Sequence, residues 1–105
     1  MDSGWLLADG EAVASLQRAR TPWDRRRAVC SARRGGVAVV LRAPTIVLGP
    51  VDVVRLRDGA ASKVRSARRG PVCLVRPGTV IALGPGDAER CGLRAGSAIE
   101  LRWTQ

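Results

Sequence analysis

Arginine is the one chemical signal this sequence carries in quantity. Three runs stand out, Arg25-Arg26-Arg27, Arg33-Arg34 and Arg68-Arg69, within a chain whose every basic residue except Lys63 is arginine. A guanidinium presents a planar fork of donors that matches phosphate and carboxylate oxygens. Arg25, Arg26, Arg27, Arg33, Arg34, Arg68 and Arg69 are therefore the candidate polyanion contacts. Eighteen basic residues against nine acidic ones leave a net charge of +9, enough to draw any polyanion at low salt. The plainer reading is a solvated basic surface in which arginine stands in for lysine. That explains the choice of residue but not the excess of base over acid. Sequence-tolerant binding of single strands also wants stacking aromatics, and only Trp5, Trp23 and Trp103 are present.

The residues that are missing exclude much else. There is no His, Tyr or Phe, so no imidazole base and no Ser-His-Asp or Cys-His pair. The carboxylates are scattered. Asp9 and Asp58 precede glycines, as turn residues do. Asp52 follows Pro50 at a strand start and reads as structural. Asp87 is expected to cap a short helix. Glu89 and Glu100 have no partner at a spacing that suggests paired catalytic carboxylates. Gly84-Pro85-Gly86 has the look of a phosphate-binding nest, but it lacks the Lys-Ser/Thr that completes one and Pro85 removes a donor. No enzyme activity, metal or cofactor is expected.

Cys30, Cys73 and Cys91 are widely spaced, without a Cys-x-x-Cys. They are expected to be small buried hydrophobes in a reducing compartment, with a Cys73–Cys91 disulfide or a reactive thiol as the alternative. The longest uninterrupted apolar run, Val37 to Leu41, is far below the ~20 residues needed to cross a bilayer. The first residues carry an acid rather than a basic leader. A cytoplasmic protein with no membrane insertion is expected.

The elements that must position the arginines are short. A chain of 105 residues supports one modest core, hence a single domain over 1–105. Strands are predicted at Trp5 to Ala8, Ala12 to Leu16, Val37 to Arg42, Thr45 to Leu48, Val51 to Leu56, Val72 to Arg76, Thr79 to Leu83 and Ile99 to Trp103. Turn residues separate them, among them Asp9-Gly10, Ala43-Pro44, Gly49-Pro50, Asp58-Gly59 and Pro77-Gly78. Arg55 and Arg57 share one face of their strand. Thr21 and Pro22 open a helix reaching about Cys30, and a second, very short one runs from Ala88 to Cys91 with Gly92 ending it. The fold class is mainly β (α+β): a small β-barrel-like domain with one or two short helices.

One internal similarity is visible. Ser31-Ala32-Arg33-Arg34-Gly35 recurs at Ser66-Ala67-Arg68-Arg69-Gly70, and Leu48-Gly49-Pro50-x-Asp52 recurs at Leu83-Gly84-Pro85-x-Asp87. It reads as a coincidence of biased composition, with a duplicated β unit as the alternative.

The order of pieces resembles the uncharacterised bacterial DUF 192 family. Gly4-Trp5-Leu6-Leu7 with Asp9-Gly10 and Ala14-Ser15 looks like actinobacterial members. Pro50-Val51-Asp52-Val53 is similar to the family's Pro-Ile-Asp-Val core. The tail from Pro85-Gly86 through Gly92-Leu93-Arg94-Ala95-Gly96 to Glu100-Leu101 is similar to its ending. Pro50, Asp52, Gly92, Leu93 and Gly96 are the motif positions, expected to be structural. The family's His, Met and aromatic ahead of that core are absent, and Ser97 stands where Asp is usual. The resemblance implies a compact β-barrel-like fold and no established reaction. Some actinobacterial members are encoded beside Flp/Tad pilus assembly genes.

Two functions follow as expectations. The first is a non-enzymatic accessory or interaction domain with a protein partner, linked to pilus or envelope assembly. The second is a nucleic-acid-binding module that contacts phosphates through the arginine clusters.

Overall fold

The computed structural model describes residues 2–104. In chain order the elements are β1 (Asp2–Ala8), β2 (Glu11–Arg18), α1 (Pro22–Arg33), β3 (Val37–Leu48), β4 (Val51–Arg57), β5 (Ala60–Ala67), β6 (Pro71–Leu83), α2 (Asp87–Arg90) and β7 (Ile99–Trp103). All strands lie in one sheet, ordered β5-β4-β6-β3-β2-β1-β7. Every neighbouring pair is antiparallel except β2 and β3, which are parallel. A parallel pair needs a crossover, and α1 supplies it. The mainly-β class holds, but the expected barrel does not close. The β5 edge meets the residue just before β7 at a single bridge, Ala60↔Ala98, rather than pairing with β7 along a ladder.

Alternation along the strands divides the core in two. Ala38, Val54, Ile81 and Leu83 face one cluster with Leu6, Leu16, Leu93 and Ile99. Their neighbours Val39, Val53, Val80 and Ala82 face the other, with Ala28 and Ala32 of α1. Ile81 and Leu83 are fully buried, each contributing about 2 kcal/mol of hydrophobic stabilisation.

Two predicted turns are not turns. Ala43-Pro44 and Pro77-Gly78 lie inside β3 and β6, which run on as strands of 12 and 13 residues. The breaks oppose each other across the ladder. Pairing runs regularly to Ala43↔Gly78, slips, and resumes at Thr45↔Leu74, with the Ala43–Pro44 peptide cis. Because the two irregularities coincide, the ribbon bends without parting. It must bend: thirteen residues at ~3.3 Å would extend ~43 Å, whereas the molecule's longest dimension is 31 Å. Past the bend the ribbon folds back, so that Val47, Val72 and Leu74 join the cluster of Val39, Leu41, Val53 and Val80. The turns that follow then meet, with Gly49 N–H donating to the Gly70 carbonyl at 2.8 Å.

Strand β5 escapes a reading based on apolar runs, since only Ala61 is buried along it. Lys63 and Arg65 instead blunt this edge of the sheet, as charges do on exposed edge strands. The turn joining it to β4 is as expected: Asp58 and Gly59 both have positive φ, at 52° and 76°, like Asp9 and Gly10 at 50° and 86°.

Helix α1 extends to Arg33, one turn beyond the expected end, because Ala32 continues the buried stripe set by Ala28. Thr21 caps it, its side-chain oxygen accepting from Asp24 N–H at 3.1 Å. Helix α2 differs from expectation at its start. Gly86, not Asp87, holds the cap position, in the left-handed conformation and without a side-chain bond. It ends as expected: Gly92 has φ 71° and donates to Glu89 O at 3.0 Å, while Leu93 donates to Ala88 O at 2.8 Å. That pair of bonds is a Schellman motif, and Leu93 turns into the core behind it.

The internal similarity falls mainly on β3 and β6, which are ladder partners, but it leads into β4 in one copy and α2 in the other. Among the described residues no helix is long and apolar enough to cross a membrane.

Candidate polyanion-binding surfaces

Two basic surfaces emerge, one on α1 and one in a cleft. Ala28 and Ala32 turn α1's apolar stripe to the sheet. At 100° per residue the opposite face carries Trp23, Arg26, Arg27, Cys30 and Arg34, of which all five are exposed. The helix's one carboxylate, Asp24, is half-buried in the first turn, off this stripe. Arg25, though exposed, lies towards the sheet side of the helix, where it donates to Thr45 Oγ1 at 3.2 Å. Arg33 lies next to Arg26 on the helical wheel but is half-buried and donates to the Leu48 carbonyl; its Nε is buried without a hydrogen-bond partner among the described residues.

The same contact draws in the third cluster. Leu48 precedes Gly49, which is bonded to Gly70, so the turn holding Arg68 and Arg69 comes beside the segment that Arg33 reaches. Arg34, Arg68 and Arg69 are exposed. Among the described residues none of the seven predicted arginines is in an ion pair. Three carboxylates are engaged elsewhere: Asp2 with Arg18 and Arg20, Asp87 with Arg90, Glu100 with Arg102.

The cleft was not legible as a site in the sequence. It measures about 940 Å³ and lies between β4, β5 and the folded arm of β6. Arg55, Arg57, Lys63, Arg65 and Arg76 line it, and none of the seven predicted arginines does. Arg55 stands directly across the ladder from Lys63, and Arg65 across from Val53. The shared face of Arg55 and Arg57 was readable; the same period of two, applied to Lys63 and Arg65, would have shown the rest had β5 been recognised.

The motif positions lie at turns and buried contacts. Asp52 is 2% exposed and its carboxylate accepts from Ala88 N–H at 3.0 Å, so the side-chain cap of α2 comes from β4. Asp87, equally buried, accepts from Gly36 N–H at 3.1 Å. Its other oxygen lies 2.6 Å from Arg90 Nη2, an ion-pair contact off hydrogen-bond geometry. Pro50 is in the β3–β4 turn, and Gly96 N–H donates to Ala61 O at 2.7 Å.

The cysteines depart from expectation. All three are free thiols; Cys30 and Cys73 are exposed and Cys91 is half-buried. Cys30 falls on α1's solvent stripe. Cys73 alternates with buried Val72 and Leu74 and so points away from the core. Burial and the neighbouring Asp87 push the Cys91 thiol above its usual pKa.

The fold defines a small α+β domain built on one curled seven-stranded sheet. No family model and no curated protein matches the chain. A crystal structure from Sinorhizobium meliloti 1021, called a "putative transcription regulator", is similar in fold, with a TM-score of 0.65 over 95% of this chain and 92% of that one at 16% sequence identity.

Proposed function

We propose that this chain is a non-enzymatic binding domain for nucleic acid, with the solvent face of α1 laid along the phosphates. The observation that carries the reading is the stripe of Arg26, Arg27 and Arg34, exposed and free of ion pairs among the described residues, on a helix anchored by its opposite face. From Trp23 to Arg34 the stripe is ~17 Å long, about the rise of five base pairs. A major groove admits a helix of this kind, and Arg68 and Arg69 extend the charge past its end. Such contacts fix position rather than read sequence. The name given to the structural neighbour agrees with this reading. So does the interior, where the buried carboxylates of Asp52 and Asp87 are each committed to a backbone N–H.

The test is fluorescence anisotropy with labelled duplex DNA and single-stranded RNA at about 50 and about 200 mM salt. Binding that survives the higher salt, with a preference for one polymer, supports the reading. Loss of all binding there reduces the charge to a nonspecific trap.

A second reading, the accessory interaction domain with a protein partner, draws on Ile46, Leu48 and Val75. These stand 64%, 55% and 73% exposed on the folded ribbon. The pilus or envelope role implied by the resemblance to DUF 192 belongs to this second reading.

A further inference from the structure

The cleft is built differently from the α1 stripe. Arg55 and Lys63 are directly opposed on one face of an antiparallel pair, an arrangement that repels in the free protein. Arg57, Arg65 and Arg76 surround them, and the one carboxylate in the lining, Asp58, has a side chain 94% exposed and sits 4.0 Å from Arg57. Among the described residues neither Arg55 nor Lys63 is in an ion pair, and an anion seated between the rows would supply the missing counter-charge.

The cleft is also partly preset. One guanidinium nitrogen of Arg55 donates to the carbonyls of Arg76 at 3.1 Å and Pro77 at 3.3 Å. That fixes the group across the cleft, while among the described residues its remaining donors have no protein acceptor. Gly78 leaves room for it: at φ 145° a Cβ there would lie 3.2 Å from the same nitrogen, a tight contact that the guanidinium would have to ease by a small shift. A volume of about 940 Å³ suits a small ligand better than a duplex. No aromatic side chain lines it, so a base has nothing to stack on and recognition rests on charge.

We propose that this cleft binds a compact polyphosphate, a chain of linked phosphates such as the tail of a nucleoside triphosphate or inorganic polyphosphate. The site is independent of the α1 stripe and stands or falls without it.

Isothermal titration of the full chain with tripolyphosphate, GTP and orthophosphate tests it. Tripolyphosphate should bind at one saturable site, at least tenfold more tightly than orthophosphate. GTP tighter than tripolyphosphate would assign the nucleotide as the source; equal affinity would assign the phosphate chain alone. Lys63→Gln with Arg65→Gln should weaken tripolyphosphate at least tenfold. In the ligand-free protein Lys63→Gln should leave the Tm unchanged or raised, because a repulsion is removed, which separates lost binding from lost folding. Arg26→Gln with Arg27→Gln should leave tripolyphosphate binding unchanged. Non-saturable binding, or equal losses in both double variants, would overturn the proposal. So would loss of oligonucleotide binding but not tripolyphosphate binding in the Lys63/Arg65 variant.

Discussion

The carboxylate of Asp52, on β4, accepts the backbone N–H of Ala88 at 3.0 Å and so caps a helix 36 residues further along the chain. Both groups are buried. The bond ties α2 to the sheet at the point where the chain leaves β6, and α2 with its Schellman turn then directs Leu93 into the core. Asp52→Ala leaves the Ala88 N–H buried without an acceptor, a loss of about 1–3 kcal/mol. Asp52→Asn keeps an acceptor oxygen and should lose about 1 kcal/mol or less. Urea denaturation of both variants checks this; equal stability of Asp52→Ala and the parent would contradict the cap.

Gly84 is held by close approach. A Cβ there would collide with the Ala32 carbonyl, and it would lie 3.0 Å from Asp87 Oδ2 and 3.3 Å from Gly35 Cα. Two of these neighbours are backbone and cannot swing aside. Gly84→Ala should therefore cost about 1–3 kcal/mol, seen as a lower Tm. The Gly84-Pro85-Gly86 loop thus serves helix–helix approach, between the end of α1 and the start of α2.

Much of this was legible in the sequence, for identifiable reasons. The Asp9-Gly10 and Asp58-Gly59 turns, Thr21 as a cap and Gly92 as a helix stop are local chemistry, and each stands where the residues put it. What was not legible depended on contacts between distant residues. Pro44 and Pro77 look like strand breaks until the ladder sets them near each other. Asp87 looks like a cap until Asp52 arrives from β4 and frees it to hold Gly36. The cleft needed β5, whose polar alternation hides it from an apolar search. The arginine clusters were plain, but not that Arg33, next to Arg26 on the helical wheel, would be half-buried against the Leu48 carbonyl while Arg26, Arg27 and Arg34 stay exposed.

The Asp2 carboxylate should make stability depend on acid. Hydrogen bonds from Arg18 and then Arg20 hold its pKa below the usual carboxylate value. A depressed folded pKa means that the contribution is fully present above the unfolded value, near ~4, and is lost as pH falls through the folded one. Thermal melts between about pH 5 and about pH 2 should show a decline that Asp2→Asn reduces. An unchanged profile in that variant would show that other groups carry the acid sensitivity.

The three thiols should separate kinetically. Cys30 and Cys73 are exposed, whereas Cys91 is half-buried, its Sγ 3.5 Å from the Val13 carbonyl and its thiol harder to ionise. Thiolate is the reactive form. Alkylation of the native protein, followed by mass spectrometry, should label Cys30 and Cys73 first and Cys91 last. Early labelling of Cys91 would contradict its placement.

The central claim is that α1's outward arginines hold phosphates. The most direct measurement is the salt dependence of duplex binding for the parent and for Arg26→Gln, Arg27→Gln, Arg34→Gln together. Each phosphate contact contributes about 0.9 to the slope of log K against log salt, so three lost contacts should flatten it by about 2–3. Thermal stability should stay at the parent's value, since these side chains are exposed and, among the described residues, in no ion pair. An unchanged slope in the folded triple variant would contradict the account.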